Sequence, residues 1–232
     1  MHEIRYHILK RLSLHPRATY SELKPIAVQS NAFAYHLKAL TQEGLLTEKL
    51  STKDKKKWYG LSPKGKLYVD KISFDIGGER IQPKIVNLLV IQKGKSEYLF
   101  YTRTRAPFVN YIGFPYGKIH LEERIHEAAK RELCEKTGLD IPLKHVGDTY
   151  IAVHNETELI SHMLCHIFLG NIDTKNNIET KIKAGCFWSR IDDIAISKRI
   201  PGVTQIEKII RNLDKSKPER FFKEFFLNTS EE

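Results

Sequence analysis

The chain has 232 residues, 41% hydrophobic and 28% charged, an ordinary composition for a soluble globular protein of one or two domains. Its three cysteines, Cys134, Cys165 and Cys186, form no C-x-x-C pair, so a disulfide framework and a zinc ribbon are not expected. The net charge of +10 is uneven: residues 1–80 hold 15 Lys+Arg against 8 Asp+Glu, a net +7 that points to a nucleic-acid surface in the first third. The longest apolar run, about Ile85 to Ile91, is too short to cross a bilayer. The opening MHEIRYHILKRL carries charge where a signal peptide needs an apolar core. A cytoplasmic chain with no membrane partner is expected.

In chain order, Ile4, Ile8, Leu9 and Leu12 follow helical spacing, and His15-Pro16 ends that helix. A second short helix is predicted over Ser21–Ala27. A third begins at Ser30 as a cap, buries Phe33, Leu37 and Leu40, and stops at Gly44. Leu45, Leu46 and Leu50 begin an extended segment, the polar turn Ser51–Lys57 follows, and Trp58-Tyr59-Gly60-Leu61 reads as the returning strand. Ser62-Pro63-Lys64-Gly65 opens a fourth helix through Ile72. Asn31, Tyr35, Lys38 and Gln42 form a polar stripe at i, i+4, i+7 and i+11, opposite the apolar stripe of the third helix. Amide and lysine groups there suit base edges in a major groove. Lys53, Lys55, Lys56 and Lys57 in the turn suit backbone phosphates. A solvated face and a merely soluble turn are the plainer readings of each feature taken alone.

This order, with NAFAYHLKALTQEGLLTEK, the lysine-rich turn and LSPKG, resembles the winged helix-turn-helix domains of the ArsR and MarR regulator classes over residues 2–72. The resemblance implies that Ser30–Gln42 is a recognition helix, that Lys53–Lys57 is a wing, and that the partner is double-stranded DNA, bound by a homodimer. Residues 1–75 are assigned to this domain. Gly77-Gly78, in a stretch without periodicity, marks a linker over 76–82.

Residues 83–212 alternate strands with two helices: Ile85–Gln92, Tyr98–Arg103, Val146–His154, Ser161–Leu169 and Gly185–Ile191 as strands, the stretch after Gly117 and Val203–Leu213 as helices. Between Glu122 and Lys136 a helix places Ile125, Ala128, Ala129, Glu132, Glu135 and Lys136 on one arc. Two carboxylates that share a side with alanines need a cation, and hard divalent ions take oxygen ligands. The terminal 213–232 segment is read as a linker and a helix that sets Phe221, Phe222, Phe225 and Phe226 on one docking face.

Gly117, Glu123, Arg131, Glu132, Leu133, Glu135, Gly138 and Leu139 match the spacing of the Nudix box, G-x5-E-x7-R-E-U-x-E-E-x-G-U, so residues 83–212 resemble the Nudix family. The fold class this implies is α+β, a winged helix-turn-helix followed by a Nudix α/β/α sandwich with a mixed sheet. The resemblance implies cleavage of nucleoside diphosphates linked to another group, with Mg²⁺ or Mn²⁺ held by the catalytic Glu132 and Glu135 and by a backbone carbonyl near Gly117. It further implies a Glu123–Arg131 ion pair and a turn at Gly138. Lys136 departs from the box, standing where a metal-ligating glutamate is usual, and its ammonium is expected to pair with Glu132 and replace the ion. Glu156, Glu158 or Glu179 is the later acid that would restore a site. Pro115-Tyr116-Gly117 replaces the usual Pro-Gly-Gly. Arg103, Arg105 and Tyr116, with Lys136, are the candidate diphosphate contacts. Phe108, Tyr111 and Phe114 are expected in the core, and His120 and His126 at the surface. His162 and His166, about 13 Å apart on a strand, are expected to be structural.

Two functions follow. One is a transcription regulator whose Nudix domain senses an ADP-ribose-like nucleoside diphosphate derivative, with hydrolysis weak or lost, by analogy with Nudix-related regulators that carry their winged helix after the Nudix domain. The other is an active Mg²⁺-dependent pyrophosphohydrolase with the winged helix for dimerisation or targeting.

Overall fold

A computed structural model describes residues 2–52, 55–74, 78–172, 182–213 and 219–229. The chain divides into two compact units, 1–81 and 82–232.

The first unit runs α1 (Glu3–Leu14), β1 (Ala18–Thr19), α2 (Tyr20–Leu23), α3 (Ser30–Gln42), β2 (Leu46–Leu50), β3 (Lys57–Leu61), α4 (Pro63–Asp70), β4 (Ile72–Ser73) and β5 (Gly78–Glu79). Ile8, Leu9 and Leu12 of α1 meet Phe33, Leu37 and Leu40 of α3 in one core with Leu23, Leu45, Tyr59 and Ile72. The antiparallel sheet is ordered β1-β3-β2. Ser62 caps α4 by accepting from the Gly65 amide at 2.9 Å, with Pro63 in the first turn where its missing N–H costs nothing. Three boundaries differ from expectation. The second helix is a single turn, because a capping box at Thr19 and Glu22 starts it early and Pro25 follows. Gln29, not Ser30, occupies the cap position of α3. The fourth helix stops at Asp70, and Ile72 pairs with Glu79 instead.

The second unit runs β6 (Lys84–Lys93), β7 (Glu97–Thr102), β8 (Ile112–Gly113), β9 (Tyr116–Lys118), α5 (Ile125–Thr137), β10 (Leu143–Asn155), β11 (Glu158–Ile172), β12 (Cys186–Arg190), α6 (Val203–Arg211) and β13 (Phe221–Asn228). The mixed sheet is ordered β12-β7-β6-β11-β10-β13, with β8 on β7 and β9 on β6. The pairs β6–β11 and β10–β13 are parallel. Alternation along each strand builds two cores. Val86, Leu88, Val90, Ile151 and Ile167 face Val203, Ile206 and Ile210 of α6, while Leu89, Ile91 and Phe168 face Ala129 and Leu133 of α5. The result is an α+β sandwich with one helix on each face. Phe114 is 1% exposed in the first of these cores, with Phe108 and Tyr111 against it.

The C-terminal segment corrects the expected docking helix. Phe221–Asn228 is a strand, parallel to β10 from Gly147↔Phe221 to His154↔Asn228. Four phenylalanines in eight residues favour a pleated, half-buried surface over a helix, and period two sorts them: Phe221, Phe225 and Leu227 pack on the α6-side core, while Phe222 and Phe226 stay 58% and 69% exposed.

Candidate functional site

Gly117 lies on β9 opposite Asn87 of β6, and that pairing carries the box to the start of α5. Asn87 is fully buried in the apolar run IVNLLV and donates from Nδ2 to the Ile125 carbonyl at 2.9 Å, tying the first turn of α5 to the sheet. Asn87 was not among the expected site residues. An amide inside a buried strand was the available signal, because a buried polar group there needs a partner. The helix starts three residues later than expected, at Ile125, with Glu122 at φ 66° in the approach. It closes at Gly138, φ 79°, whose amide bonds the Cys134 carbonyl.

The carboxylates are gathered around Arg131. Its guanidinium donates to both oxygens of Glu123, at 2.7 and 2.8 Å, to Glu132 Oε1 at 2.7 Å, to Glu135 Oε2 at 3.3 Å, and to the Lys118 carbonyl at 3.1 Å. The hydrogen bond from Arg131 holds the Glu123 carboxyl down at about 2, and the same contacts push Arg131 further above its ordinary range. Thus the positive charge paired with Glu132 is Arg131, not Lys136 as the i, i+4 spacing had led us to expect. Arg131 has the longer, forked reach into a cluster that Glu123 already anchors. Lys136 is exposed on the last turn. The buried face of α5 is also narrower than the predicted arc. Ala128, Ala129, Glu132, Leu133 and Thr137 are buried, whereas Ile125 is 41% exposed and Glu135 and Lys136 face outward.

One buried oxygen in this cluster has no donor among the described residues. Glu132 is 5% exposed, and its Oε2 is buried without a hydrogen-bond partner among the described residues. It lies beside Gly117, where a Cβ would collide with the carboxylate. A desolvated carboxylate oxygen left bare calls for a cation or a donor. A glycine cradle beside it, with an exposed carboxylate at Glu135, is a donor set that fits a hard divalent ion of the Mg²⁺ or Mn²⁺ kind.

Of the other candidates, Arg103 and Tyr116 meet beside Gly117, and the rest lie apart. The Arg103 fork is turned to Tyr116 and to its own loop. It donates to the carbonyls of Arg105 and Ala106, at 2.8 and 3.0 Å, and to the Pro107 carbonyl and the Tyr116 hydroxyl, which occupies it in shaping the 104–111 loop. Burial lifts the Tyr101 phenol beside it to about 12. Arg105 is exposed, and Tyr116 is half-buried against Arg103. Glu156 and Glu158 sit at the tip of the β10–β11 hairpin, some eight residues along β11 from His166, the parallel neighbour of Asn87. Roughly 26 Å of extended strand separates them from the box level, too far to complete a site there. Glu179 lies outside the described residues, as does Lys53. Both His120 and His126 are exposed, and His126 bonds the Leu143 carbonyl through Nε2 at 3.1 Å.

In the first unit, Asn31, Tyr35, Lys38 and Gln42 are all exposed along α3, and Lys55, Lys56 and Lys57 are exposed at the β2–β3 turn. Lys57 is paired with Glu48 at 3.0 Å. No helix among the described residues is long and apolar enough to cross a membrane.

A family model described as NUDIX domain matches residues 82–213. Among solved structures, the chain is similar to the mMutator MutT protein from Bacillus halodurans, at 18% identity and TM-score 0.48, over 64% of this chain and 93% of that one. It is similar to the NUDIX domain of Shewanella oneidensis NrtR, complexed with ADP ribose, at 14% and 0.46, over 65% and 97%. A NUDIX hydrolase from Nitrosomonas europaea aligns at 11% and 0.46, over 78% and 94%. No curated protein matches the chain.

Proposed function

The chain belongs to the NUDIX family through residues 82–213, and on that premise we propose that it is a DNA-binding transcription regulator whose NUDIX unit senses a nucleoside diphosphate derivative of the ADP-ribose type. The first unit acts as a winged helix-turn-helix: α3 enters the major groove with Asn31, Tyr35, Lys38 and Gln42, and the lysines of the β2–β3 turn meet backbone phosphates. The observation that carries the reading is the state of the box carboxylates. Arg131 neutralises one oxygen of Glu132, and a lysine stands on the last turn where the box has an acid. Glu132 Oε2, Glu135 and a backbone carbonyl near Gly117 would still hold a divalent ion, which would draw charge off the diphosphate and activate a water. With Lys136 adding a positive charge in place of a negative one, that ion is bound weakly, and the unit recognises its ligand more than it cleaves it.

The second reading, a working pyrophosphohydrolase, has one observation in its favour: the orphaned, buried Glu132 Oε2 beside Gly117. Two titrations of the full chain test the proposal. Anisotropy with duplex DNA between about 50 and 200 mM salt is expected to show steep weakening, each phosphate contact adding about 0.9 to the log–log slope. Calorimetry with ADP-ribose is expected to show saturable binding without Mg²⁺. DNA affinity independent of salt, together with ligand binding that requires Mg²⁺, overturns it in favour of the hydrolase.

A further inference from the structure

Away from the box, β10 and β11 bring together three groups that no regular strand pairing would. Asp148 and His166 are direct partners across the antiparallel ladder, and Asp148 Oδ1 lies 2.6 Å from His166 Nδ1. His145 Nε2 lies 2.9 Å from the same oxygen. On an unbroken strand, residues 145 and 148 would point to opposite faces. They share one here because the register slips between His145 and Gly147, leaving Val146 as an extra residue. A bulge of this kind re-aims a side chain. Gly147 is required at the bulge, since a Cβ there would strike the Phe221 backbone and ring on β13. Both imidazoles are held in place: His145 stacks on the buried Phe168 ring at 5.1 Å, and His166 meets His145 edge-on at 5.7 Å.

We infer that His145 Nε2, His166 Nδ1 and Asp148 form a binding site for a divalent transition-metal ion of the zinc class, separate from the box carboxylates and their preference for hard ions. The three ligand atoms all lie within 4.8 Å of one another. Ligands 2.0–2.2 Å from a tetrahedral zinc sit about 3.3 Å apart, so the 2.6 and 2.9 Å separations to Asp148 need to open only slightly to admit the ion. Two imidazoles and one carboxylate select borderline ions such as zinc over Mg²⁺ or Ca²⁺. The trio is part-buried, with side chains 16%, 31% and 14% exposed for His145, Asp148 and His166, which leaves a path for the ion and a fourth position for water. Burial raises the Asp148 carboxyl, but the hydrogen bonds from His166 and His145 outweigh it and keep the group below its ordinary value, already ionised as a ligand must be. Binding moves the ring protons off the two coordinating nitrogens, because an imidazole nitrogen binds a metal ion only through its free lone pair.

The test is a Co²⁺ titration of the full chain, followed by Zn²⁺ displacement. One equivalent of Co²⁺ is expected to give the intense visible bands of a four-coordinate ion, and Zn²⁺ is expected to remove them stoichiometrically. His145→Gln and His166→Gln, each verified folded by circular dichroism, are expected to weaken Zn²⁺ binding at least about tenfold, while Glu132→Gln with Glu135→Gln leaves it unchanged. Zinc-edge absorption on the unmutated protein is expected to show nitrogen and oxygen ligands with the scattering pattern of two imidazoles. Bands unaffected by either histidine substitution, no four-coordinate Co²⁺ in the folded wild type, or an edge spectrum without imidazole each overturn the site.

Discussion

Glu132 divides its two oxygens between different roles, and its neighbours explain why. Oε1 is committed to Arg131, while Oε2 is buried against a residue with no side chain. Gly117→Ala is therefore expected to displace the Glu132 carboxylate, costing about 1–3 kcal/mol as an overpacked site does, measured by urea denaturation. A change below about 0.5 kcal/mol would show that the cradle is not occupied by the carboxylate. The Glu123–Arg131 pair gives a pH signature. Glu123 has its carboxyl depressed from 4.5 to about 2, so its stabilising contribution is present above about 4.5 and is lost as pH falls through about 2. The stability difference between wild type and Glu123→Gln is expected to be constant near neutrality and to vanish across that acidic window, followed by denaturation at stepped pH.

At the scale of elements, β13 decides whether the C-terminal phenylalanines serve the core or a partner. Phe225→Ser is expected to destabilise the fold by about 1–3 kcal/mol, because its ring packs on the α6-side core. Phe226→Ser on the opposite face is expected to change stability by less than about 0.5 kcal/mol. Equal effects would return the segment to a helix with one apolar face. The misreading has a physical source. Phe-Phe-x-x-Phe-Phe satisfies a helical stripe and a two-sided strand alike, and only the free edge of β10, invisible in the sequence, selects the strand. The box was legible because its spacing is fixed by one helix and one glycine approach. Arg131 as the hub was not, since five acceptors converge on it from β9, the approach loop and α5. The His145–Asp148–His166 cluster was hidden for a related reason: it depends on a one-residue bulge, and His166 finds its partner across the ladder rather than at His162.

For the whole molecule, the proposal joins two units of different charge and chemistry in one chain, a basic one that contacts DNA and a NUDIX unit that reads a diphosphate. The exposed α3 stripe and the turn lysines were legible from periodicity and composition alone, since both lie on local elements. Lys38→Glu with Lys55→Glu is expected to weaken duplex binding and, through the lost Lys55 phosphate contact, lower the salt slope by about one, measured by anisotropy, with calorimetric ADP-ribose affinity unchanged. Loss of both activities together would contradict a division of labour between the units. The central claim, recognition with little cleavage, is tested most directly by assaying ADP-ribose hydrolysis in Mg²⁺ and Mn²⁺ for wild type and Lys136→Glu. The account predicts turnover by the wild type far below the roughly 1–10³ s⁻¹ of ordinary enzymes, and a gain of at least about tenfold in the variant. Wild-type turnover within that ordinary range, unchanged or lowered by Lys136→Glu, would contradict it.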